Sequence, residues 1–356
     1  MALVKIKHLS LYDYEYELAQ PIFIKGKSLY KRSGVVIKVT NENHQSLYAD
    51  IAPLPFFHKE TLSEVKKHFF EIKDKLIDTH WSLKLLLGSS HILQELINPI
   101  QMPSLYFGLE MTFLSFLMPR LDVFKKIKVN ALLHGSDSKI LDKAKTLLEY
   151  EAIKIKVANR SPGQMLALMD ELCSILPNKQ FRIDINRNWS LDQTRFFCDH
   201  FEENLCEYLE EPLSNPLDLL TLSNQFNHPI AFDESLLDIP LDFLLSVPTK
   251  SALIIKPSLI GSIQKINYFY GKARYHNLKF ILTSCFESGL GHLMIAQLAH
   301  FLAIDDAIGL DTYSWIKEDI LLKKLSLEKG ILNLKDNHFL NPYLNSDTLR
   351  LLDAHV

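Results

Sequence analysis

The sequence predicts an α/β protein in which a smaller α+β domain precedes a TIM-like (β/α) barrel. The chain has 356 residues, of which 47% are hydrophobic. This is enough for a barrel of about 250 residues and a second core. From about residue 125 to residue 312, short β-rich runs alternate with amphipathic helical stretches. Most successive runs start roughly 20 to 30 residues apart, which is the spacing of βα units in a parallel barrel.

Residues 1–105 are expected to form the α+β domain. Two strand patterns, VKIKHLSLYDYEYEL and SGVVIKVT, come first, and a turn-rich passage, IAPLPFFHKE, follows. The next stretch, TLSEVKKHFFEIKDKLI, has a helical pattern, and Thr61 with Glu64 forms a capping box that opens this helix. A segment with two prolines, NPIQMPSL, then leads toward the barrel.

The barrel is expected to span residues 106–320 and to use eight strand-like runs. In chain order they are KIKVNALLHG, EAIKIKV, FRIDIN, EYLEEPL, PIAFDES, ALIIKPS, KFILTS and AIGLDT. No run is followed by GxGxxG, so a closed barrel is favoured over an open dinucleotide-binding sheet. Residues 321–356 contain LEKGILNLKDNHFLNPYL, a strand and turn pattern that we expect to return to the N-terminal domain.

Composition excludes several classes of partner. The formal net charge of −3 provides no basic field for nucleic acid. No stretch approaches the roughly 18 apolar residues of a membrane span, and the N-terminus has no secretory pattern, so we expect a cytoplasmic protein without a membrane partner. The cysteines lack CxxC spacing and are expected to be reduced and buried. They are Cys173, Cys198, Cys206 and Cys285.

Ionisable residues recur at the ends of the predicted strands. This distribution matters because active sites of (β/α) barrels form at the C-terminal ends of several strands. From the second run to the seventh, the polar residues at these positions are Lys154, Lys156, Asp184, Asn186, Glu210, Glu211, Asp233, Glu234, Lys256, Thr283 and Ser284. Five consecutive strand ends therefore carry Lys, Asp, Glu, Asp and Lys.

This order permits a specific chemistry. Three carboxylates from neighbouring strands, Asp184, Glu210 and Asp233, form an oxygen-only ligand set suited to Mg²⁺. A lysine near Mg²⁺ and a second ammonium has a lowered pKa and can act as a base. Base, divalent metal and opposed cation together favour abstraction of a proton α to a carboxylate, a pairing established for enediolate-forming enzymes.

Each residue also has a simpler interpretation. A single lysine at a strand end is usually solvated, an Asp before a turn such as Asp233 is often a helix cap, and Glu210 before Pro212 could start a helix. The order along the barrel favours a site over these readings. Arg182, deeper in its strand, is expected to pair with a carboxylate inside the barrel. ESGLG, residues 287–291, is expected to be a helix N-terminus that binds a substrate carboxylate.

The motifs resemble those of a known family. IKIKV, RIDINRNW, YLEEPL, IAFDES, LIIKPSLIGS and TSCFESGLG are similar, in this order, to the strand-end motifs of the enolase superfamily, in its muconate lactonising enzyme subgroup. DIAPLPFFHKETLSE resembles the capping-domain loop of that subgroup, and PSLYFGLEM resembles the helix that opens its barrel. The resemblance therefore implies that the α+β domain is a capping domain.

The resemblance also implies a role for individual residues. Lys156 would be the general base, with Lys154 supporting it, and Lys256 would stabilise the intermediate from the opposite face. Mg²⁺, for which Mn²⁺ could substitute, would be bound by one carboxylate from each of the third, fourth and fifth runs. These are Asp184, Glu210 and Asp233.

Within the subgroup, the resemblance is closest to enzymes of menaquinone biosynthesis that dehydrate 2-succinyl-6-hydroxy-2,4-cyclohexadiene-1-carboxylate to 2-succinylbenzoate. The expected partner is therefore a small carboxylate substrate, and both a monomer and a homo-oligomer remain open. The residue range 22–32 would close over the site. Residues expected to contact the substrate, mainly its succinyl chain, are Asn186, Thr283, Ser284, Ser288 and Gly289.

Some observations leave alternatives open. Ala158 stands where the subgroup has glycine, and TSCF replaces a more serine-rich stretch, which affects recognition of the succinyl chain. The same lysines and metal would also serve an N-succinylamino acid racemase or a dipeptide epimerase. Asp311 is the one acidic residue at the eighth run that could bind an amino group. A Schiff-base aldolase using Lys256 and a non-catalytic binding protein are further alternatives, and the three carboxylates count against the aldolase.

Overall fold

The computed structural model describes residues 3–24, 26–88, 92–118, 126–334 and 343–352. An antiparallel sheet dominates the N-terminal part, where the central pair of long strands is flanked by shorter ones. Its strands are β1 (Val4–Ile24), β2 (Lys27–Asn41), β3 (Ser46–Ile51) and β4 (His80–Trp81). The helices of this part are α1 (Leu62–Leu76), α2 (Leu83–Leu86), α3 (Ile92–Leu96) and α4 (Pro103–Leu117).

The capping box that the sequence predicts for α1 is confirmed. The Thr61 side chain accepts a hydrogen bond from the Glu64 amide, and the Glu64 side chain accepts one from the Thr61 amide. The apolar positions of α1 recur every three or four residues, so one face is buried and packs near β2. Those buried residues are Val65, Phe69, Ile72 and Leu76.

A seven-stranded parallel sheet forms the second part. Its strand order is β12-β11-β10-β9-β8-β7-β6, so each strand pairs with its neighbours in the sequence. Its strands, together with β5 that precedes them, are β5 (Lys126–Lys128), β6 (Ala131–Leu133), β7 (Ile153–Lys156), β8 (Phe181–Asp184), β9 (Cys206–Glu210), β10 (Ile230–Phe232), β11 (Lys250–Ile255) and β12 (Lys279–Leu282).

Helices connect successive parallel strands, as the alternation in the sequence predicts. They are α5 (Asp137–Ala144), α6 (Pro162–Ile175), α7 (Leu191–His200), α8 (Leu219–Ser223), α9 (Ser235–Asp238), α10 (Leu241–Ser246), α11 (Pro257–Ile260), α12 (Ile263–Tyr275) and α13 (Gly289–Phe301). Short 3₁₀ helices cover Glu203–Leu205, Pro216–Asp218, Asp311–Trp315 and Ser346–Thr348. The apolar faces of the longer helices pack against the sheet and complete the core.

Two of the eight predicted runs differ from expectation. The first run divides, because β5 joins a small antiparallel sheet and only β6 belongs to the parallel sheet. The eighth run forms no strand in the described ranges. Instead, Ile308 makes an isolated parallel bridge with Val129, and Gly309 makes one with Thr283. The 3₁₀ helix that starts at Asp311 leaves only these few residues extended.

The inside of the parallel sheet contains a buried ion pair below the strand ends. Arg182 donates from Nε to Glu207 Oε2 and from Nη2 to Glu207 Oε1, both at 3.0 Å. The Tyr208 ring lies 5.4 Å from the Arg182 guanidinium carbon. Both oxygens of the buried Glu207 carboxylate thereby accept hydrogen bonds. The expectation that Arg182 pairs with a carboxylate is confirmed.

The C-terminal segment pairs with two different sheets. Strands β13 (Leu327–Glu328) and β14 (Ile331–Asn333) form the small antiparallel sheet with β5, and β15 (Arg350–Leu352) pairs with β1. Within the described ranges, every helix is too short or too polar to cross a membrane. The four cysteines are free, and all but the half-buried Cys173 are buried.

Candidate active site

Strand register aligns the candidate residues at one edge of the parallel sheet. Lys156 on β7 is opposite Asp184 on β8, and Asp184 is opposite Glu210 on β9. Asp233 directly follows β10, and Lys256 directly follows β11. The three strands that present the acids therefore lie between the two strands that present Lys156 and Lys256. The two lysines approach the acids from opposite sides, as the sequence analysis expects.

Lys154 lies two residues before Lys156 on the same strand face and contacts two of the acids. Its Nζ is 2.6 and 2.7 Å from the two carboxylate oxygens of Glu210 and 2.9 Å from Asp184 Oδ2. Burial alone would lower the pKa of Lys154, but the Asp184 and Glu210 carboxylates outweigh it and raise this pKa. In this arrangement the two carboxylates favour the charged form of Lys154.

Lys156 is the last residue of β7 and contacts an acid and an amide. Its Nζ donates to Asp184 Oδ2 at 3.0 Å and to Asn186 Oδ1 at 3.1 Å. The Lys156 side chain is 32% exposed, whereas that of Lys154 is 15% exposed. Of the two lysines on β7, Lys156 is thus the one that a bound molecule can reach, and Asn186 orients it.

Lys256 contacts both an acid at the edge of the parallel sheet and the N-terminal part of the chain. Its Nζ forms an ion pair with Asp233 Oδ2 and lies 5.2 Å from the centre of the Phe57 ring. Burial acts to lower the pKa of Lys256, but Asp233 and Glu234 together raise it. The side chain therefore presents a fixed positive charge between an acid and an aromatic face.

The acids can be tested for their fit to a divalent cation. In the part of the chain that the structure describes, no three His, Cys, Asp or Glu side chains are grouped closely enough to hold a metal ion. Lys154 lies between Asp184 and Glu210, and Asp233 pairs with Lys256. The donor set nevertheless suits Mg²⁺, because all its atoms are carboxylate oxygens. In addition, the buried Oδ1 of Asp184 has no hydrogen-bond partner among the described residues.

The electrostatic environment of the three acids also favours a bound divalent cation. Burial, followed by the Asp184 and Asp233 carboxylates, raises the pKa of Glu210 to about 8, although Lys154 acts against this shift. Burial also acts to raise the pKa of Asp184, but Lys154 and Lys156 hold this pKa well below its usual range. A buried group of acids that repel one another gains most from an added divalent charge.

Glu211 is a residue of this region for which the sequence analysis proposes no role. Its Oε1 accepts hydrogen bonds from the Asp233 amide at 2.7 Å and the Ser235 amide at 2.8 Å, and its Oε2 accepts one from Arg187 Nε. Glu211 therefore fixes the turn that presents Asp233. The pair of acids before Pro212 is a signal that could have indicated two roles, one inside the barrel and one in the next turn.

The helix N-terminus predicted at ESGLG is confirmed as α13, but its first amides are already used. The Ser288 amide and hydroxyl donate to Asp50 Oδ2 at 2.9 and 2.7 Å, and the Gly289 amide donates to Asp319 Oδ1 at 3.0 Å. Ser288 and Gly289 are also buried. Carboxylates of the protein occupy the positions expected for a substrate carboxylate, so these two residues do not support the expected contact with the succinyl chain.

Thr283 and Ser284 likewise have partners within the protein. Thr283 Oγ1 donates to the Gly309 carbonyl at 3.1 Å, and the Ser284 hydroxyl pairs with the hydroxyl of Thr312. Both contacts link the end of β12 to the segment that follows it in space. The hydroxyls therefore hold the polypeptide chain together at this edge, and their expected contact with a substrate stays a prediction.

The N-terminal sheet is joined to the strand ends by buried polar contacts. Arg32 donates from Nε to the Phe286 carbonyl at 3.0 Å and from Nη2 to the Ala52 carbonyl at 2.6 Å. Its guanidinium thus connects the loop after β3 to the loop after β12. Arg32 is only 1% exposed, so it has a structural position at the end of the range 22–32, which the sequence analysis expects to cover the site.

Comparison with known families identifies the class of protein. Residues 139–338 match the family described as enolase C-terminal domain-like, and residues 6–116 match the family described as MenC, N-terminal domain. The first match covers more than half of the chain, so the chain belongs to the enolase C-terminal domain-like family. The parallel sheet and its row of lysines and acids agree with this result, and together they define an enzyme of the enolase superfamily.

Curated relatives carry a more particular name. The chain is similar to an o-succinylbenzoate synthase from Vibrio cholerae, with 28% identity over 319 residues that cover 86% of this chain and 90% of the relative. It is also similar to the o-succinylbenzoate synthase from Haemophilus influenzae, with 26% identity over 336 residues that cover 92% and 97% of the two chains.

Solved structures share the fold at lower identity. An o-succinylbenzoate synthase from Thermosynechococcus elongatus, with Mg in its active site, has a TM-score of 0.69 and 21% identity, covering 88% of this chain and 95% of that chain. A dipeptide epimerase from Cytophaga hutchinsonii, complexed with Mg and the dipeptide D-Ala-L-Val, has a TM-score of 0.77 and 18% identity, covering 98% and 99%.

Proposed function

We propose that this protein is an o-succinylbenzoate synthase that dehydrates 2-succinyl-6-hydroxy-2,4-cyclohexadiene-1-carboxylate to 2-succinylbenzoate in menaquinone biosynthesis. The observation that carries the proposal is the position of the three acids between Lys156 and Lys256, which suits removal of a proton α to a carboxylate. Similarity to the two curated synthases above, over 86% and 92% of the chain, supports this particular substrate.

In this proposal, Lys156 removes the α-proton of the substrate. The hydrogen bonds of its Nζ to Asp184 and Asn186 hold the amine in one position, so that little reorganisation is needed when the proton is transferred. Proton removal leaves an enediolate. Lys256 faces it from the opposite side as a fixed cation and counters the negative charge that develops.

Asp184, Glu210 and Asp233 would hold Mg²⁺ or, as a substitute, Mn²⁺. When bound, the ion would supply positive charge next to the substrate carboxylate and so lower the energy of its deprotonation. Lys154 donates to two of these acids and would orient their oxygens.

The second step returns the proton. The ammonium of Lys156 donates its proton to the departing hydroxyl on the same face of the ring, so that water leaves in a syn elimination. One C–O bond breaks, one C=C bond forms, and the base regains its neutral form. Because the product ring is aromatic, this step is downhill, and the net reaction consumes no other reagent.

A racemase or epimerase of the same superfamily is the alternative, because lysines on opposite sides of the acids could exchange an α-proton between two faces. One contact favours the synthase over a dipeptide epimerase. Asp311, the acid considered for an amino-group ligand, accepts hydrogen bonds from Lys143 Nζ and from the Leu132 amide, both at 2.8 Å. The Oδ2 atom of its carboxylate is thus occupied within the protein.

We further infer that the parallel sheet closes into a barrel and that the chain divides at about residues 105 and 320. Ile308 bridges a residue just before the edge strand β6, and Gly309 bridges a residue just after the other edge strand, β12, which supports closure. Pairing of β15 with β1 supports a return of the last segment to the capping domain, while β13 and β14 pair with β5.

One assay tests the proposed reaction against its alternative. The purified protein is incubated with Mg²⁺ and the cyclohexadiene carboxylate while formation of the aromatic product is followed by absorbance. N-succinylamino acids and dipeptides are tested in parallel for racemisation or epimerisation. We expect rapid aromatisation. Absence of aromatisation together with rapid racemisation or epimerisation would replace the synthase by the alternative.

A further inference from the structure

The loop after β7 has an unusual backbone at its second residue. Ala158, two residues after Lys156, has φ of 53°, in the left-handed region that favours glycine. A side chain with Cβ is strained in this conformation, and a strained position persists only where surrounding contacts hold it. The strain adjoins the residue that carries the proposed base, so the contacts that hold this loop also determine where Lys156 lies.

Arg160 makes most of these contacts from within the loop. Its Nη1 donates to the carbonyls of Lys156 at 3.3 Å and Val157 at 3.2 Å, and its Nη2 donates to the Gly135 carbonyl at 2.6 Å. Its Nε donates to Asp137 Oδ1 at 2.9 Å. One guanidinium therefore ties the end of the β7 strand to the loop after β6.

The loop after β8 supports the same turn from the other side. Asn188 Nδ2 donates to the Ala158 carbonyl at 3.2 Å, and the Trp189 indole donates to the Arg160 carbonyl at 2.9 Å. The Arg160 side chain is only 12% exposed. Its four hydrogen bonds leave the planar guanidinium in fixed directions, and the two to the Lys156 and Val157 carbonyls are partly buried. A lysine could not reproduce this set of donors.

We propose that Arg160 is a positioning residue for Lys156: by bonding the Lys156 and Val157 carbonyls it holds the strand end against the strain at Ala158, and so keeps the Lys156 amine between Asp184 and Asn186. This inference rests on the proposed function only where activity is measured. Loosening the strand end displaces the amine, and displacement of a reacting group by about 1 Å can cost about 10²-fold in rate.

Arg160→Lys tests the proposal, because it keeps the positive charge next to Asp137 but removes the planar set of donors. In the holoenzyme we expect kcat to fall by about 10²-fold and KM to change less than threefold. We also expect faster amide hydrogen exchange in residues 156–161, with unchanged exchange in residues 206–211. The matched control is Arg195→Lys, since Arg195 makes one exposed ion pair with Asp192 on α7. This control should change neither measurement.

A second substitution separates positioning from general damage to the fold. Glycine adopts the left-handed conformation without strain, so Arg160→Lys should cost much less in kcat when combined with Ala158→Gly than it does alone. Equal losses in both backgrounds would overturn the proposal, as would unchanged kcat and unchanged exchange in Arg160→Lys. If the wild type lacks aromatisation activity, the proposed function fails, while the exchange measurement still decides whether Arg160 holds the end of β7.

Discussion

The Lys256 ammonium lies 5.2 Å from the centre of the Phe57 ring, so an aromatic side chain from the loop after β3 faces a cation at the end of β11. Phe57 is half-buried, and its loop is also joined to the loop after β12 through Arg32. The N-terminal part of the chain is thus a part of the environment of Lys256.

The first prediction concerns this contact. Phe57→Leu retains apolar bulk but removes the ring face, which for a shielded cation contributes about 1 kcal/mol. We therefore expect kcat/KM for aromatisation to fall by about fivefold. Phe196→Leu, at an exposed phenylalanine on α7, is the matched control and should leave kcat/KM unchanged. Equal values for both variants would show that Lys256 does not depend on the Phe57 ring.

The second prediction concerns the base. Lys156→Ala should lower kcat by about 10²- to 10⁴-fold, because proton transfer would lose its positioned acceptor. Lys156→Arg should be equally inactive, since a guanidinium stays charged and cannot accept the proton. Both variants are assayed for aromatisation and for racemisation. A rate within tenfold of the wild type in Lys156→Ala would mean that another group is the base.

The third prediction concerns the metal. Treatment with EDTA should abolish activity, and added Mg²⁺ should restore it. Independently of activity, Mg²⁺ should raise the melting temperature of the wild type, because a ligand at about 100 times its Kd adds about 2.7 kcal/mol to the free energy of unfolding.

Asp184→Asn should lose most of this thermal stabilisation, since it removes a charged oxygen from the proposed ligand set. Asp142→Asn, at an exposed acid on α5, should retain it. A Mg²⁺ shift of equal size in the two variants would contradict the proposed ligand set.

The fourth prediction concerns pH and the buried Asp50. This carboxylate accepts hydrogen bonds from the Tyr14 hydroxyl at 2.6 Å and from the Ser288 amide and hydroxyl. Burial raises the pKa of Asp50 to about 6, despite these hydrogen bonds. The folded state therefore binds the proton more tightly than the unfolded state, and the contribution of Asp50 to stability decreases as pH rises from about 4 to about 6.

Denaturant unfolding of Asp50→Asn and wild type at pH 4.5 and pH 7 tests this sign. Because the variant lacks the titration, its free energy of unfolding relative to wild type should increase by about 2 kcal/mol between these two pH values. Asp142→Asn, at an exposed acid on α5, again serves as the control and is unfolded under the same two conditions. A parallel response of Asp50→Asn and wild type would indicate that Asp50 has an ordinary pKa.

Much of the architecture could be predicted from local pattern. The capping box at Thr61 encodes its helix within four residues, and alternation in IKIKV places Lys154 and Lys156 on one face of a strand. The pattern of the eighth run predicts a strand, but the run is reduced to two bridges because a 3₁₀ helix begins within it, at Asp311. Run length alone did not indicate this, since extended and helical preferences overlap in short segments.

In the candidate site, too, some features follow from the sequence and others depend on the tertiary structure. The sequence by itself determined which residues reach the strand ends, because each of Lys156, Asp184 and Glu210 ends a short β pattern and parallel strands end at one edge. It also determined the row of two lysines around three acids, since neighbouring strands follow one another in the chain.

Only the tertiary structure decided which polar groups remain available. Ser288 was predicted to bind a substrate carboxylate, yet Asp50, 238 residues away in the chain, accepts its hydrogen bonds. In the same way, Phe57 in the loop after β3 contacts Lys256 at the end of β11, in a distant part of the chain. The physical reason is that a donor or a cation is satisfied by whichever partner the fold brings within hydrogen-bond or van der Waals distance, and contacts between distant segments leave no periodic pattern in the sequence.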